Sequence, residues 1–160
     1  ILAGHWRSMA KGLAEAGRPV DGRMWRVARN ITIAATDAEA AARVTAPEGA
    51  THYYFNYLSS LARRAGLLAT MKPREDVSDD DTTLEDVIQA CTVHGSSQRV
   101  LDQLVAMRDE MGPFGHLVMA GLDWSGVNAG WESESMRRLA EEVMPRLRQH
   151  AAAQDAKRQG

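Results

Sequence analysis

The segment His94-Gly95-Ser96-Ser97 lies where a short apolar run ends and an amphipathic helix begins. The N-terminus of a helix attracts anions, because its first peptide N–H groups are unpaired and its dipole is positive there. Gly95 permits close approach to the backbone, and the hydroxyls of Ser96 and Ser97 add hydrogen-bond donors. The segment therefore predicts a phosphate site. A helix cap without any ligand uses the same residues and is the commoner arrangement.

His94 is the candidate for proton transfer, because histidine changes charge near neutral pH. The sequence shows no acidic partner for it, so a structural histidine is the alternative. Cys91, three residues earlier, does not give a zinc-ligand spacing. The aspartates at 79–81 lack the glycine and distal glutamate of a calcium loop. We predict no metal site.

Asp123 and Trp124 follow a second apolar run, His116–Gly121. Trp124 has the size and shape to form a wall of a substrate pocket, and packing against the body of the fold is the alternative. Asp123 is predicted to order the loop.

One strand–helix–strand unit positions these residues. Its helix carries an apolar stripe and ends at Gly112, with Pro113 keeping it ended. The second apolar run is continuous, which predicts a strand buried on both faces. The stripe consists of Val100, Leu104, Met107 and Met111.

A strand over Met24–Thr36 precedes this unit, and the capping box Thr36–Glu39 then begins a helix to Val44. Pro145 predicts a kink near Glu141 in the last helix. Three strands that alternate with five or six helices indicate the α/β class. The other helices are predicted over His5–Ala16, Thr51–Met71, Leu84–Ala90 and Trp131–Gln149, with an acidic mobile loop at Asp76–Asp81 and a frayed polar tail at Ala151–Gly160.

Composition sets further bounds. The chain has 160 residues, 44% of them hydrophobic and 25% charged, with a net charge of −2. This gives no electrostatic case for nucleic acid or anionic membranes. Cys91 is the single cysteine, which predicts a reducing, cytoplasmic compartment. No signal peptide or membrane span is visible, and Ile1 at the start predicts a piece of a longer chain.

Several short blocks, in this order and spacing, resemble the C-terminal portion of the bacterial luciferase-like flavin-dependent monooxygenases. Members often have proline after Gly-Ser, and this chain has Ser97 there. Members also often read Gly-His-Asp-Trp after the last strand, and in this chain Leu122 takes the place of the histidine. The blocks are Trp25–Arg29 with Thr36–Ala40, His94–Ser96, Met111–Gly115, Ala120–Trp124 and Leu139–Leu147.

The resemblance implies a fold and a cofactor. Residues 1–150 would be the C-terminal, incomplete part of a (β/α)8 TIM barrel, followed by the polar tail 151–160. The cofactor would be reduced FMN from a separate flavin reductase, reacting with O2 on a small-molecule substrate. Gly95, Ser96 and Ser97 would lie near the FMN phosphate, and Trp124 and His94 in the substrate pocket. The catalytic residues are not assigned.

The resemblance leaves the substrate, the choice between flavin and deazaflavin, and a homodimeric state open. An alternative from another class is a non-catalytic helical interaction module that a partner chain completes. Methionine-rich stripes and unpaired strand edges favour this alternative.

Overall fold

The computed structural model describes residues 2–74, 76–112 and 114–159. Four residues lie outside these ranges: Ile1, Glu75, Pro113 and Gly160. Pro113 is the residue that was predicted to keep the helix of the strand–helix–strand unit ended. In chain order the elements are α1 (Leu2–Glu15), β1 (Arg26–Ile33), α2 (Asp37–Thr45), α3 (Ala50–Arg64), α4 (Leu84–Cys91), β2 (Thr92–Gly95), α5 (Ser97–Met111), β3 (His116–Met119), α6 (Gly126–Arg138) and α7 (Met144–Gln159). The predicted α/β class is confirmed.

The three strands lie side by side and run in one direction, as predicted. β1 is the middle strand. It pairs with β2 through Ile31↔Val93 and Thr32↔His94, and with β3 through Val27↔Leu117. The strand–helix–strand unit is therefore present, but its two strands flank β1 and do not pair with each other, so α5 crosses β1.

One face of the sheet holds the main core. Ile31, Ile33 and Val93 pack against α5 and the start of the last helical segment. The predicted stripe of α5 is confirmed, with Val100 and Leu104 fully buried. The core therefore fixes α5 against the strands whose ends carry the candidate residues.

β3 differs from its prediction. It was expected to be buried on both faces, but His116 is exposed and Val118 is 45% exposed. β3 is an edge strand, and only its inward residues Leu117 and Met119 contact the core. β2 is the strand whose four residues are all buried.

Two predicted segments were wrong in length. The helix expected to reach Met71 ends at Arg64, because Gly66 takes a left-handed φ of 68° and a short turn over Leu68–Met71 follows. The tail expected to fray is helical to Gln159. Asp155 of this helix contacts the buried Arg108 at 3.4 Å, which ties it to α5.

The acidic segment predicted to be a mobile loop is anchored. Lys72 pairs with Asp79, and Ser78 hydrogen-bonds Asp81 at 2.7 Å. Arg63 donates to the carbonyl oxygens of Asp79 and Thr82. These contacts hold the segment against α3.

The predicted kink takes the form of a π-helical turn over Leu139–Val143, between α6 and α7. Pro145 has no N–H to donate to the carbonyl of Glu141, and a wider turn accommodates that loss. The turn brings Glu142 towards the beginning of α5.

None of the helices in the described ranges combines the length and the apolar character that crossing a bilayer requires.

Candidate functional site

The beginning of α5 meets a carboxylate from a distant part of the chain. The Ser96 N–H donates to Asp37 Oδ1 at 2.7 Å, and Asp37 begins α2. This hydrogen bond holds the pKa of the Asp37 carboxyl below its ordinary value. Ser96 is also the predicted cap, since its Oγ accepts the Arg99 N–H at 3.3 Å.

A second carboxylate takes the next serine. The Ser97 hydroxyl donates to Glu142 Oε2 at 2.5 Å. The hydrogen bond from Ser97, together with the positive charges of Arg138 and Arg137, lowers the pKa of the Glu142 carboxyl. Two carboxylates therefore accept hydrogen bonds from the Ser96 N–H and the Ser97 hydroxyl, two of the groups that the sequence assigns to a phosphate site.

Gly95 is required by its conformation and its neighbour. Its φ is 147°, and a Cβ at this position would lie 2.7 Å from the Arg99 side chain. The Arg99 guanidinium lies 3.8 Å from Asp37 Oδ2 and its side chain is 58% exposed. In the described part of the chain, the N–H groups of Ser97 and Gln98 make no hydrogen bond, as expected for a first helical turn.

His94 is buried at the end of β2. Its Nδ1 lies 2.8 Å from the Thr92 hydroxyl oxygen. Burial lowers the pKa of His94, the Arg99 guanidinium lowers it further, and Asp37 acts in the opposite direction. The sequence showed no acidic partner for His94, but in the structure Asp37 lies near enough for its negative charge to act on the His94 ring.

Asp123 orders the loop after β3, as predicted. Its carboxylate accepts the Ser125 N–H at 3.1 Å and the Asn128 Nδ2 at 3.0 Å. Asn128 in turn accepts the Ala50 N–H at 3.0 Å. The loop after β3 is thereby joined to the beginning of α3.

Trp124 is 54% exposed and lies over Gly121, where a Cβ would be 2.9 Å from the indole Nε1. The Leu122 N–H donates to Glu132 Oε1 at 3.0 Å, and burial raises the pKa of the Glu132 carboxyl. The Leu122 backbone N–H thus supplies the polar contact at this position.

An apolar groove of about 440 Å³, which no pattern in the sequence predicted, lies beside α3. Asn30 lies at the groove with a side chain that donates to the Ala120 carbonyl at 3.1 Å. Because Asn30 and Thr32 share a face of β1 and Thr32 is level with His94, the groove and His94 belong to the same face of the sheet. Other residues that line the groove include Tyr54, Phe55, Leu58, Leu61, Leu67 and Met71.

The aromatic side chains of α3 differ in their burial. Phe55 is buried, but Tyr53 is 73% exposed and Tyr57 is 56% exposed. Among the residues described, no group of three potential ligands forms a metal site.

The structure thus brings Gly95, Ser96, Ser97 and His94 together at the end of β2, whereas Trp124 lies at the end of β3, across β1. Sequence reasoning missed Asp37 and Glu142. The signal for Asp37 was its place as the first residue of α2, four residues after the end of β1.

The chain is similar in sequence to several monooxygenases, in agreement with the resemblance to the luciferase-like flavin-dependent monooxygenases. They include 3,6-diketocamphane 1,6-monooxygenase of Pseudomonas putida, 27% identical over 147 residues, which span 91% of this chain and 38% of that protein. Limonene 1,2-monooxygenase of Rhodococcus erythropolis is 26% identical over 145 residues, covering 90% of this chain and 34% of that protein. No family model matches the chain.

A solved structure agrees. The oxygenating constituent of 3,6-diketocamphane monooxygenase from the CAM plasmid of Pseudomonas putida, a type II Baeyer–Villiger monooxygenase in complex with FMN, superposes with a TM-score of 0.78 at 27% identity. The match covers 90% of this chain and 39% of that one. The fold is therefore part of a TIM barrel, and the chain spans about two fifths of the relatives it matches.

Proposed function

We propose that this chain is the C-terminal portion of a flavin-dependent monooxygenase that uses reduced FMN and O2 to oxidise an organic substrate. The observation that carries the proposal is the superposition with the FMN-bound relative over 90% of this chain. Residues 1–150 are proposed as the barrel portion and 151–160 as a segment appended to it. The partial coverage is consistent with a portion that needs the remaining strands for activity.

When bound, reduced FMN would supply the electrons that activate O2. We place its phosphate at Gly95, Ser96 and Ser97. The unpaired N–H groups of Ser97 and Gln98 and the exposed Arg99 guanidinium suit an anion. Asp37 is unfavourable for an anion, because its carboxylate already accepts the Ser96 N–H and carries the same sign of charge as a phosphate. Phosphate binding here requires Asp37 to leave that hydrogen bond.

The face of the sheet that carries His94 and Asn30 is proposed to point into the barrel interior. There His94 and Trp124 would contribute to the substrate pocket, and the groove beside α3 offers apolar walls for a small organic molecule. The names of the relatives give diketocamphane and limonene as their substrates, so we propose a small, largely apolar substrate.

The proposed partners follow from the same assignment. A separate flavin reductase would supply reduced FMN, and the exposed tyrosines of α3, Tyr53 and Tyr57, are candidate contacts in a homodimer. A cytoplasmic location is proposed from the single cysteine.

The experiment compares two proteins. One is the 160-residue chain, and the other is the full reading frame that contains it, read from the source genome upstream of the Ile1 codon. Each is mixed with a flavin reductase, FMN, NADH and a limonene or camphor-derived ketone, and substrate-dependent O2 consumption is recorded. We expect consumption with the full frame and none with the chain alone. A full frame that forms a stable complex with another protein yet never consumes O2 would instead favour the interaction module.

A further inference from the structure

Thr92 and His94 form a buried hydrogen-bonded pair on β2. The Thr92 Oγ1 lies 2.8 Å from His94 Nδ1 and 2.7 Å from the carbonyl oxygen of Ile88. The two side chains are only 6% and 5% exposed, respectively. Bulk water therefore does not compete for either contact.

The hydrogen atoms at this pair can be counted. A threonine hydroxyl has one hydrogen, and a carbonyl oxygen only accepts. The 2.7 Å contact with Ile88 is attractive only if the hydroxyl hydrogen lies between the two oxygens. Oγ1 then presents lone pairs to Nδ1, so the ring nitrogen has to be the donor.

We infer that Thr92 is a positioning residue that holds His94 in its Nδ1–H tautomer, so that Nε2 is left as a hydrogen-bond acceptor at the end of β2. In histidine, the hydrogen bond made by one ring nitrogen determines which nitrogen carries the hydrogen, and so whether the other nitrogen is a donor or an acceptor. Here the deciding group is a hydroxyl whose own hydrogen is already committed.

Nε2 accepts no hydrogen bond from the residues that the structure describes, although the side chain is nearly buried. The charged groups that bear on the ring are Arg99 on α5 and Asp37 on α2, and burial favours the neutral form. His94 is level with Thr32 on β1, on the face that also carries Asn30. Nε2 is therefore suited to accept a hydrogen bond, or a proton, from an O–H or N–H group of a bound ligand.

That this acceptor serves a ligand rests on the proposed function, but the tautomer does not. The tautomer can be read in the 160-residue chain without flavin, by long-range proton–nitrogen correlation spectra of the protein labelled with ¹⁵N-histidine. His94→Gln assigns the resonances. We expect an NH-type shift at Nδ1 and an unprotonated-type shift at Nε2 near neutral pH, with the large change in shift on acidification at Nε2, because that nitrogen takes up the proton.

Three variants separate positioning from simple packing. Thr92→Val removes the hydroxyl and is expected to move His94 towards the Nε2–H tautomer, and Thr92→Ser is expected to restore the wild-type spectrum. Thr82→Val is the matched control. It removes another buried hydroxyl, which donates to the Ser78 carbonyl at 2.7 Å, and should leave the His94 shifts unchanged.

The inference is overturned if wild-type His94 carries its hydrogen on Nε2, or if Thr92→Val leaves both ring nitrogen shifts as they were in a folded protein. If the Thr92→Val chain does not fold, the inference is tested by the tautomer of wild-type His94 and by whether Thr92→Ser keeps the same spectrum. Failure of the full reading frame to consume O2 would count against the proposed function and would not alter these spectra.

Discussion

Ser135 Oγ lies 2.9 Å from the backbone nitrogen of Ile33 and 3.3 Å from its carbonyl oxygen. β3 pairs with β1 only as far as Arg29, so one edge of β1 has no strand beside Ile33. The Ser135 hydroxyl, on α6, accepts the Ile33 N–H and donates to the Ile33 carbonyl, and the Ser135 side chain is 1% exposed. Ser135 thus completes the strand that ends next to the proposed cofactor site.

Replacing Ser135 by alanine should leave the N–H and carbonyl of Ile33 buried without partners. We expect a loss of about 2 kcal/mol in the free energy of unfolding, measured by urea denaturation monitored by circular dichroism. Ser133→Ala, on an exposed turn of the same helix, is the control and should change stability by less than about 0.5 kcal/mol. Equal stabilities for the two variants would refute the bridging role of Ser135.

Asp37→Asn should strengthen the binding of FMN to the full reading frame. The change removes the negative charge beside the proposed phosphate position and replaces a charged acceptor of the Ser96 N–H by a weaker, neutral one, so that this N–H is released more easily. We expect the FMN dissociation constant to fall about two- to fivefold, with no change for riboflavin, which has no phosphate. Asp102→Asn, on an exposed position of α5, is the charge-matched control. A variant whose FMN and riboflavin affinities change equally would place the phosphate elsewhere.

Ser97→Ala should destabilise the chain in a pH-dependent way. The folded-state pKa of Glu142 is depressed, chiefly by the Ser97 hydroxyl, so its contribution is present above the ordinary value of 4.5 and is lost as pH falls through the folded pKa. We expect a deficit of about 1 kcal/mol at pH 7.

The measurement is a series of urea unfolding curves between neutral pH and about pH 3. The deficit of Ser97→Ala relative to the wild type should shrink towards the acid end, because both proteins then carry a protonated Glu142. Glu142→Gln should show the same trend. A deficit that is constant with pH would mean that Ser97 acts by packing or capping rather than through this carboxylate.

Arg108→Met should weaken the attachment of the last helix. The Arg108 guanidinium donates to the Phe114 carbonyl at 2.6 Å and contacts Asp155 at 3.4 Å, and the residue is 6% exposed. Replacing the guanidinium should lower the free energy of unfolding by about 2–3 kcal/mol and increase the rate of amide hydrogen exchange after His150. Arg148→Met, on an exposed position of α7, should do neither. Unchanged exchange in Arg108→Met would show that the segment does not depend on this contact.

Local sequence signals predicted the elements of the site well. Thr83 and Asp86 form a full capping box at α4, and Ser96 caps α5 as its residue type indicates. Thr36 accepts the Glu39 N–H as expected, but the Glu39 carboxylate reaches the Ala35 N–H at 3.3 Å, one residue before the cap. Such contacts are decided within one turn of chain and therefore leave a readable pattern.

The contents of the site depend on contacts that no local pattern encodes. Asp37 meets Ser96 across 59 positions of sequence, and Glu142 meets Ser97 across 45. Each carboxylate alone resembles an ordinary first-turn or surface acid. The exposure of β3 was missed for a similar reason, because an apolar run shows that a strand is buried somewhere but not whether it lies at an edge.

The most direct test of the barrel assignment is equilibrium binding of FMN, followed by quenching of flavin fluorescence, with the full reading frame and with the 160-residue chain. We expect saturable binding of one FMN by the full frame, weakened when Gly95 is replaced by valine, and no saturable binding by the chain alone. Full-length protein that leaves flavin fluorescence unchanged at every concentration would contradict this assignment.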